Sequence, residues 1–176
     1  KDEHFTTCLQ DRPLVAQLCG DDPETLLKAA RMLENEVDAI DLNFGCPQGI
    51  ARRGHYGSYL LGEPDLIVRI VETMSKGLKV PLFCKMRVLK TEEQTLELTR
   101  RIEKAGCSLL TVHGRTKEQN KEAVGTCNWD LIKKIKYTVS IPVLANGGIY
   151  SYADVEECLE VTGADGVMSA EVHHTV

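Results

Sequence analysis

The chain has 176 residues, of which 43% are hydrophobic and 27% are charged, and its formal net charge is −5. This length suits one ordinary domain, but it is shorter than the roughly 250 residues that a complete (β/α)8 barrel needs. The acidic balance argues against a compact basic nucleic-acid-binding module, and no apolar run approaches the roughly 20 residues of a membrane span.

The composition is typical of a soluble globular enzyme, and no signal peptide is expected because no apolar segment follows the charged first residues. The chain has seven cysteines, with wide spacings and no C-x-x-C pair, at positions 8, 19, 46, 84, 107, 127 and 158. An odd number without close pairs argues against a zinc site and against a disulfide scaffold. We expect most of them to be reduced and buried in a cytoplasmic protein that holds no metal.

Short apolar runs alternate with helical stretches along the whole chain. Strands are predicted over 13–18, 38–43, 80–87, 108–113, 141–146 and 165–169. Helices are predicted over 22–35, 64–76, 91–106, 128–138 and 151–162. The helix starts rest on cap signals such as Asp22 before Pro23, and Thr91 three residues before Gln94 as a capping box. Strict alternation predicts an α/β fold with a parallel sheet and right-handed crossovers.

Two architectures fit this alternation: a doubly wound open sheet and part of a (β/α)8 TIM barrel. An open sheet collects its functional residues at one switch point, whereas a barrel spreads them over the carboxyl ends of many strands. Five of the six predicted strands end in polar or reactive residues, namely Gln17, Asn43 with Cys46, Lys85 with Arg87, His113 with Arg115, and Asn146. This distribution favours the barrel, with about six of its eight β-α units.

Cys46 follows a predicted strand directly, and Gly45 and Pro47 shape the turn that presents it. An ordinary thiol is mostly protonated at pH 7, so it can act as a general acid as well as a nucleophile. The alternative is a structural cysteine in a loop. Asn43, three residues earlier, is either a turn former or an amide that orients a substrate.

Lys85 and Arg87 occupy alternate positions of an otherwise apolar strand, so both side chains point to the same face of the sheet. A buried lysine is costly unless it meets an anion, which favours an anionic ligand. The alternative is that both side chains extend to solvent at the strand end.

Two further strand ends carry candidate ligand groups. His113 could donate to a ligand carbonyl, or could be an ordinary core histidine, and Arg115 could bind a base edge or a phosphate. Asn146 is followed by Gly147 and Gly148 just before a capped helix, where bare backbone amides can form an anion cradle. Glycine is common after strands, so this last motif is weak by itself.

The segment 51–59 places basic and aromatic residues between glycines. This pattern suits a flexible flap over a substrate, although Arg52 and Arg53 could equally be solvated surface residues.

In chain order, five short segments together resemble the tRNA-dihydrouridine synthase family. They are Val-Ala-Gln-Leu at 15–18, Asp-Leu-Asn-Phe-Gly-Cys-Pro at 41–47, Lys-Met-Arg at 85–87, His-Gly-Arg-Thr-Lys at 113–117 and Asn-Gly-Gly at 146–148. The segments 53–57 and 167–171 are most similar to the eukaryotic branch that modifies uridines 16 and 17 of the tRNA D-loop.

The resemblance implies an FMN-containing barrel that reduces the C5–C6 bond of uridine in tRNA, with NADPH or NADH as the source of electrons. Reduced flavin would deliver a hydride from N5 to C6 of the uracil, and Cys46 would then protonate C5 as the general acid. The target base must leave its stack to reach such a site. The family resemblance also implies a cytoplasmic location, with a nuclear pool as the alternative, and no membrane partner.

The resemblance also assigns roles to individual side chains. Lys85 would lie near the N1–C2 edge of the flavin and stabilise its reduced form, and Gln17 and His113 would hydrogen-bond the isoalloxazine ring. The residues expected to frame the FMN phosphate are Asn146, Gly147, Gly148, Ala170 and Glu171. Asn43 and Arg87 would orient the uracil, with Arg115 as a further substrate contact.

The sequence departs from the family pattern in three places. The first barrel strand, with its apolar-Pro-Met segment, is absent, a usual Gly-Arg pair is Ala170-Glu171, and no C-terminal helical domain follows. We therefore expect residues 1–176 to form one partial TIM barrel, the FMN-binding catalytic domain. One alternative is a non-catalytic truncated isoform that binds a partner through its sheet edges. The other is a Schiff-base lyase that uses Lys85 and leaves the Cys46 motif without a role.

Overall fold

The computed structural model describes residues 6–8, 10–120 and 123–169, and in them six strands alternate with six α-helices. The strands are β1 (Val15–Leu18), β2 (Ala39–Phe44), β3 (Leu82–Arg87), β4 (Leu109–His113), β5 (Val143–Asn146) and β6 (Gly166–Met168). The helices are α1 (Pro23–Arg31), α2 (Gly49–Arg53), α3 (Pro64–Gly77), α4 (Glu92–Lys104), α5 (Trp129–Lys136) and α6 (Tyr152–Thr162), with a 3-10 helix over Gly57–Gly62. None of these helices is both long and apolar enough to cross a membrane.

All neighbouring strands pair in parallel, and their order in the sheet is their order in the chain, from β1 to β6. A doubly wound sheet would reverse its strand order at a switch point, whereas a (β/α) barrel adds each strand beside the one before it. The sheet order therefore confirms the barrel-type arrangement.

Side chains cap the helix starts that the sequence predicts. Oδ1 of Asp22 accepts a hydrogen bond from the Thr25 amide at 2.8 Å, and Oγ1 of Thr91 accepts one from the Gln94 amide at 3.2 Å. The reciprocal capping box forms instead at the start of α6, between Ser151 and Asp154. Each of these bonds satisfies an amide that the helix itself leaves without a partner.

The structure corrects two predicted segments. Helix α1 ends at Arg31 rather than near residue 35, because the amides of Met32 and Leu33 bond to carbonyls only three residues back. The segment 51–59 is not a continuous loop, because it contains the end of α2, a turn at 54–56 and the start of the 3-10 helix.

The segment 51–59 packs against the protein at both ends, whereas Arg52 and Arg53 are exposed, as the alternative of solvated surface residues expects, and a flap over a substrate stays a prediction. Ala51, Gly57 and Ser58 are buried in it. The imidazole of His55 also bridges two elements, with Nδ1 2.8 Å from Asp21 Oδ2 and Nε2 2.6 Å from Glu63 Oε1. The hydrogen bond to Asp21, followed by that to Glu63, raises the pKa of His55. The segment is thus tied to the loop before α1 and to the start of α3.

The two faces of the sheet differ in chemistry. The residues that face the helices are apolar and fully buried, among them Ile40, Leu42, Phe44, Met86 and Leu110. Burying each such side chain contributes about 1.5–3 kcal/mol. The alternate positions carry polar groups toward the carboxyl ends of the strands. All seven cysteines are free thiols, but only Cys84, Cys107 and Cys158 are buried, so the expectation that most would be buried was wrong.

Candidate active site

The carboxyl ends of the parallel strands bring the predicted site residues together along one edge of the sheet. Gln17 lies opposite Asp41, Asn43 opposite Lys85, Arg87 opposite His113, and His113 opposite Asn146. The side chains of Lys85 and Arg87 share the inner face, as their spacing predicts. This convergence comes from the fold alone, because parallel strands in chain order end on the same side.

The turn that presents Cys46 is held by hydrogen bonds from both sides. Oδ1 of Asn43 accepts the amide hydrogens of Gly45 at 2.9 Å and of Cys46 at 3.0 Å. Nε of Arg87 donates to the Gly45 carbonyl at 2.9 Å. Asn43 is therefore a turn former here, and Cys46 is half-buried at the end of β2.

A second set of contacts, which the sequence did not reveal, holds this turn from behind. The Cys46 carbonyl accepts from the amide of Ser58 at 3.0 Å and from its hydroxyl at 2.9 Å, and the Tyr59 hydroxyl donates to the Pro47 carbonyl at 3.1 Å. Gly57 has φ of 65°, and a Cβ there would lie 2.8 Å from the Cys46 carbonyl oxygen. Its glycine identity is the one sequence signal of this close approach.

Lys85 is a half-buried cation at the centre of this edge, and it makes no ion pair with any carboxylate of the described residues. Burial, followed by the positive charge of Arg87, lowers the pKa of Lys85, whereas Asp41 and Cys46 act in the opposite direction. A desolvated ammonium without a direct counterion favours an anionic ligand.

Arg87 and Arg115 are both buried, and both donate to backbone carbonyls of the loop that follows β4. Nη1 of Arg87 donates to Thr116 at 2.9 Å and to Gln119 at 3.2 Å, and Nε of Arg115 donates to Gly125 at 3.0 Å. The two guanidinium groups thus shape the walls of the site. Their predicted contacts with substrate stay predictions.

The hydrogen bonding of His113 determines its tautomer. Nη1 of Arg115 lies 3.4 Å from Nε2 of His113, and because a guanidinium can only donate, Nε2 must accept and the proton lies on Nδ1. Burial, followed by the charges of Arg87, Lys85 and Arg115, lowers the pKa of His113 to about 3. The imidazole is therefore neutral at physiological pH, with Nδ1–H as the group that can donate to a ligand.

The backbone after β5 forms the concave feature that the glycine pair predicts. Gly147 and Gly148 have φ of 92° and 77°, and Cβ atoms there would lie 2.6 Å from His113 Nε2 and 3.1 Å from Cys127 Cβ. The indole of Trp129 fixes the Gly147 carbonyl at 3.1 Å. Neither glycine amide donates to another backbone group within the part of the chain that the structure describes. These amides are available to an anion.

The remaining predicted contacts of the FMN phosphate are Asn146, Ala170 and Glu171. Nδ2 of Asn146 donates to the Met168 carbonyl at 2.6 Å and ties β5 to β6, so this side chain is engaged within the sheet. Its contact with a cofactor stays a prediction. Ala170 and Glu171, also predicted to frame a phosphate, lie outside the described residues.

Asp41 is a site residue to which the sequence reasoning gave no role. It is 5% exposed, its Oδ2 accepts from Nε2 of Gln17 at 2.6 Å, and its Oδ1 is buried without a partner among the described residues. Burial raises the pKa of Asp41 to about 6, opposed by the Gln17 hydrogen bond and the charge of Lys85. Asp41 and Asn43 alternate with apolar residues in their strand, as Lys85 and Arg87 do in theirs. This alternation places Asp41 on the same face as Asn43 and could have predicted it as a site residue.

The edge as a whole fits an anionic, hydrogen-bonding cofactor such as FMN. Lys85 supplies a positive charge, Gly147 and Gly148 supply bare amides, and Gln17 and His113 can hydrogen-bond a polar ring. Metal ligation has no such support within the described segments, where no group of three or more His, Cys, Asp or Glu side chains could hold an ion.

The sequence profile described as Dihydrouridine synthase (Dus) matches residues 1–175. The chain belongs to the dihydrouridine synthase family. A tRNA-dihydrouridine(16/17) synthase-like protein of Mus musculus is 51% identical over 164 residues, which are 93% of this chain and 34% of the mouse protein. The tRNA-dihydrouridine(16/17) synthase of Saccharomyces cerevisiae is 47% identical over 92% of this chain and 38% of its own length. This dihydrouridine synthase chain thus spans little more than a third of these relatives.

Solved structures with similar folds support the barrel architecture. A mandelate oxidase superposes with a TM-score of 0.63 at 20% identity, over 88% of this chain and 49% of its own. A dihydrodipicolinate synthase from Agrobacterium tumefaciens has a TM-score of 0.63 at 13% identity, over 91% of this chain and 55% of its own. At this level of identity the likeness concerns the fold alone, which is that of consecutive (β/α) barrel units.

The tautomer and charge of His113 can be measured by NMR. Its ring resonances should not titrate between pH 5 and 8, because its pKa is lowered to about 3. His55 provides the contrast, with a midpoint above the ordinary value of 6.5. Below about pH 6.5 the unfolded chain binds a proton on His113 that the folded chain does not, so this residue lowers stability as the pH falls. A His113 midpoint near 6.5 would contradict the assignment.

Proposed function

We propose that the protein to which these residues belong reduces the C5–C6 bond of uridine in the D-loop of tRNA, with FMN as cofactor and NADPH or NADH as reductant. The observation that carries the proposal is Cys46, fixed by Asn43 and Arg87 in a turn beside Lys85 at the carboxyl edge of the sheet. The relatives named tRNA-dihydrouridine synthase carry NAD(P)(+) in their names, which supports a nicotinamide reductant.

The proposed cofactor contacts follow from the groups left available at this edge. The amides of Gly147 and Gly148 would bind the phosphate, and the ammonium of Lys85 would stabilise negative charge on the reduced ring system. Nδ1–H of His113 and the amide of Gln17 would donate to polar atoms of the ring. When bound, FMN supplies the hydride, and the protein supplies position and charge.

Cys46 has the role of the proton donor. A thiol held in a rigid turn can give its proton to the uracil carbon. Asn43 and Arg87 each keep one donor for the uracil: one hydrogen of Asn43 Nδ2, and Nη2 of Arg87, which has no partner among the described residues. Arg115 hydrogen-bonds the loop after β4 and His113, and we propose that it contacts the substrate at the outer edge of the site.

The two alternative functions each leave part of this site without a role. A Schiff-base lyase would use Lys85 but leaves the doubly supported Cys46 turn without a function. A non-catalytic isoform would have no use for the free amides of Gly147 and Gly148. Binding of FMN by the full-length protein separates the reductase from the lyase, and flavin titration of residues 1–176 tests the truncated isoform.

Cys46→Ala in the full-length protein should abolish dihydrouridine formation while the purified protein stays yellow. Loss of a general acid costs about 10²–10⁴-fold in rate, and the thiol has no contact that the fold requires. The measurements are mass analysis of a tRNA transcript and the absorbance of bound flavin. Cys19→Ala, which removes an exposed thiol at the end of β1, is the matched control and should retain activity. A colourless wild-type protein, or an active Cys46→Ala variant, would overturn the proposal.

Gly147→Ala should weaken flavin binding, because its Cβ would lie 2.6 Å from the His113 ring and its φ of 92° is strained for alanine. Fluorescence titration with FMN measures the change, which we expect to be at least about tenfold, the equivalent of roughly 1.4 kcal/mol. Gly49→Ala is the control, since a Cβ there meets nothing within 4 Å. Equal affinities for the two variants would remove the glycine pair from the cofactor site.

A further inference from the structure

We propose that Asp41 is a positioning residue of this site: its carboxylate orients the side-chain amide of Gln17, which through Asn43 fixes the turn that presents Cys46. This inference rests on the proposed function for its catalytic consequence. Three side chains from two neighbouring strands form the connection, and its hydrogen bonds measure 2.6, 2.8 and 3.0 Å.

The polarity of the connection is determined from the Cys46 end. The side-chain oxygen of Asn43 faces two backbone amides, and only an oxygen can accept from them. Nδ2 of Asn43 must therefore face Gln17, where it donates to Oε1 at 2.8 Å. This leaves Nε2 of Gln17 directed at Asp41, 2.6 Å from Oδ2.

The last group in this series of hydrogen bonds must accept. An ionised carboxylate meets that need, because it has acceptor atoms and no donor. Asp41 meets this requirement, and it does so at a cost, because it is 5% exposed and its Oδ1 has no partner among the described residues. A buried carboxylate with an unsatisfied oxygen does not favour folding. Its position at the end of the chain of amides gives it a function that an apolar residue could not supply.

Orientation of Gln17 has a second consequence. With one lone pair of Oε1 and one hydrogen of Nε2 engaged, Gln17 has its second Nε2 hydrogen left to donate to a ligand. Asp41 thus fixes the side of the Gln17 amide on which this donor lies and excludes the flipped amide. The same carboxylate also places negative charge near Lys85.

Two substitutions in the full-length protein separate acceptor from charge. Asp41→Leu removes the acceptor while it keeps the number and branching of the side-chain heavy atoms, whereas Asp41→Asn keeps an oxygen that can accept from Gln17 and removes the charge. We expect Asp41→Leu to lower kcat about 100-fold with little change in KM for tRNA, as for a misplaced catalytic group. Asp41→Asn should keep most of the wild-type kcat. Asp38→Ala, in the residue just before the amino end of β2, is the control and should leave kcat unchanged.

A second readout does not depend on activity. Alkylation of Cys46 by iodoacetamide, followed by peptide mass analysis relative to the exposed Cys8, reports how firmly the turn is held. Asp41→Leu should speed it roughly tenfold, the effect of losing one charge-assisted hydrogen bond, and Asp41→Asn should not. Gln17→Leu, at an exposed position of edge strand β1, breaks the same connection without entering the core and should match Asp41→Leu.

The outcomes are distinguishable. An unchanged alkylation ratio in Asp41→Leu or Gln17→Leu overturns the inference, as does an Asp41→Asn variant that is as impaired as Asp41→Leu. A wild-type protein that binds flavin but does not reduce tRNA uridine contradicts the proposed function instead, and the alkylation ratio still decides the role of Asp41.

Discussion

Positive charge withdrawn from water at the carboxyl edge of the sheet is the constraint on which the rest of this structure depends. Burial, followed by the charges of Arg87, Lys85 and Arg115, lowers the pKa of His113 to about 3, and Asp41 is the one buried carboxylate of the described residues. Desolvated cations that outnumber their counterions are costly. The two arginines offset that cost by donating to backbone carbonyls, whereas Lys85 has no such bond within the described part of the chain, which supports the proposal of an anionic ligand.

The same charges also build the site. Arg87 reaches from β3 to the Gly45 carbonyl beside Cys46 and to the loop after β4, so one guanidinium connects the Cys46 turn to the opposite wall. Arg115 fixes the tautomer of His113 while it holds that loop. Because the turn at Cys46 is further held by Asn43 and Ser58, the proposed proton donor lies in a turn with contacts from three separate segments. Such over-determination gives the rigidity that acid catalysis needs.

Much of this could be predicted from the sequence, because alternation, cap residues and period-two polarity are local signals. They gave the parallel strands, most helix bounds and the strand ends at which the site lies. The helical parts of 51–59 could not be read in this way, since they depend on burial of Gly57 and Ser58 against the Cys46 turn. The roles of Arg87 and Arg115 were also hidden, because their partners are backbone carbonyls that no residue type specifies. Asp41 was missed although its alternate position beside Asn43 marked it.

The central claim, that this edge is organised around an anionic cofactor, is tested most directly by comparing two flavins. FMN carries a phosphate and riboflavin does not, while their rings are identical. Fluorescence titration of the full-length protein freed of its flavin should show FMN binding roughly 100-fold more tightly than riboflavin, the effect of about two charge-assisted hydrogen bonds. Equal affinities for FMN and riboflavin, or no binding of either, would contradict the account.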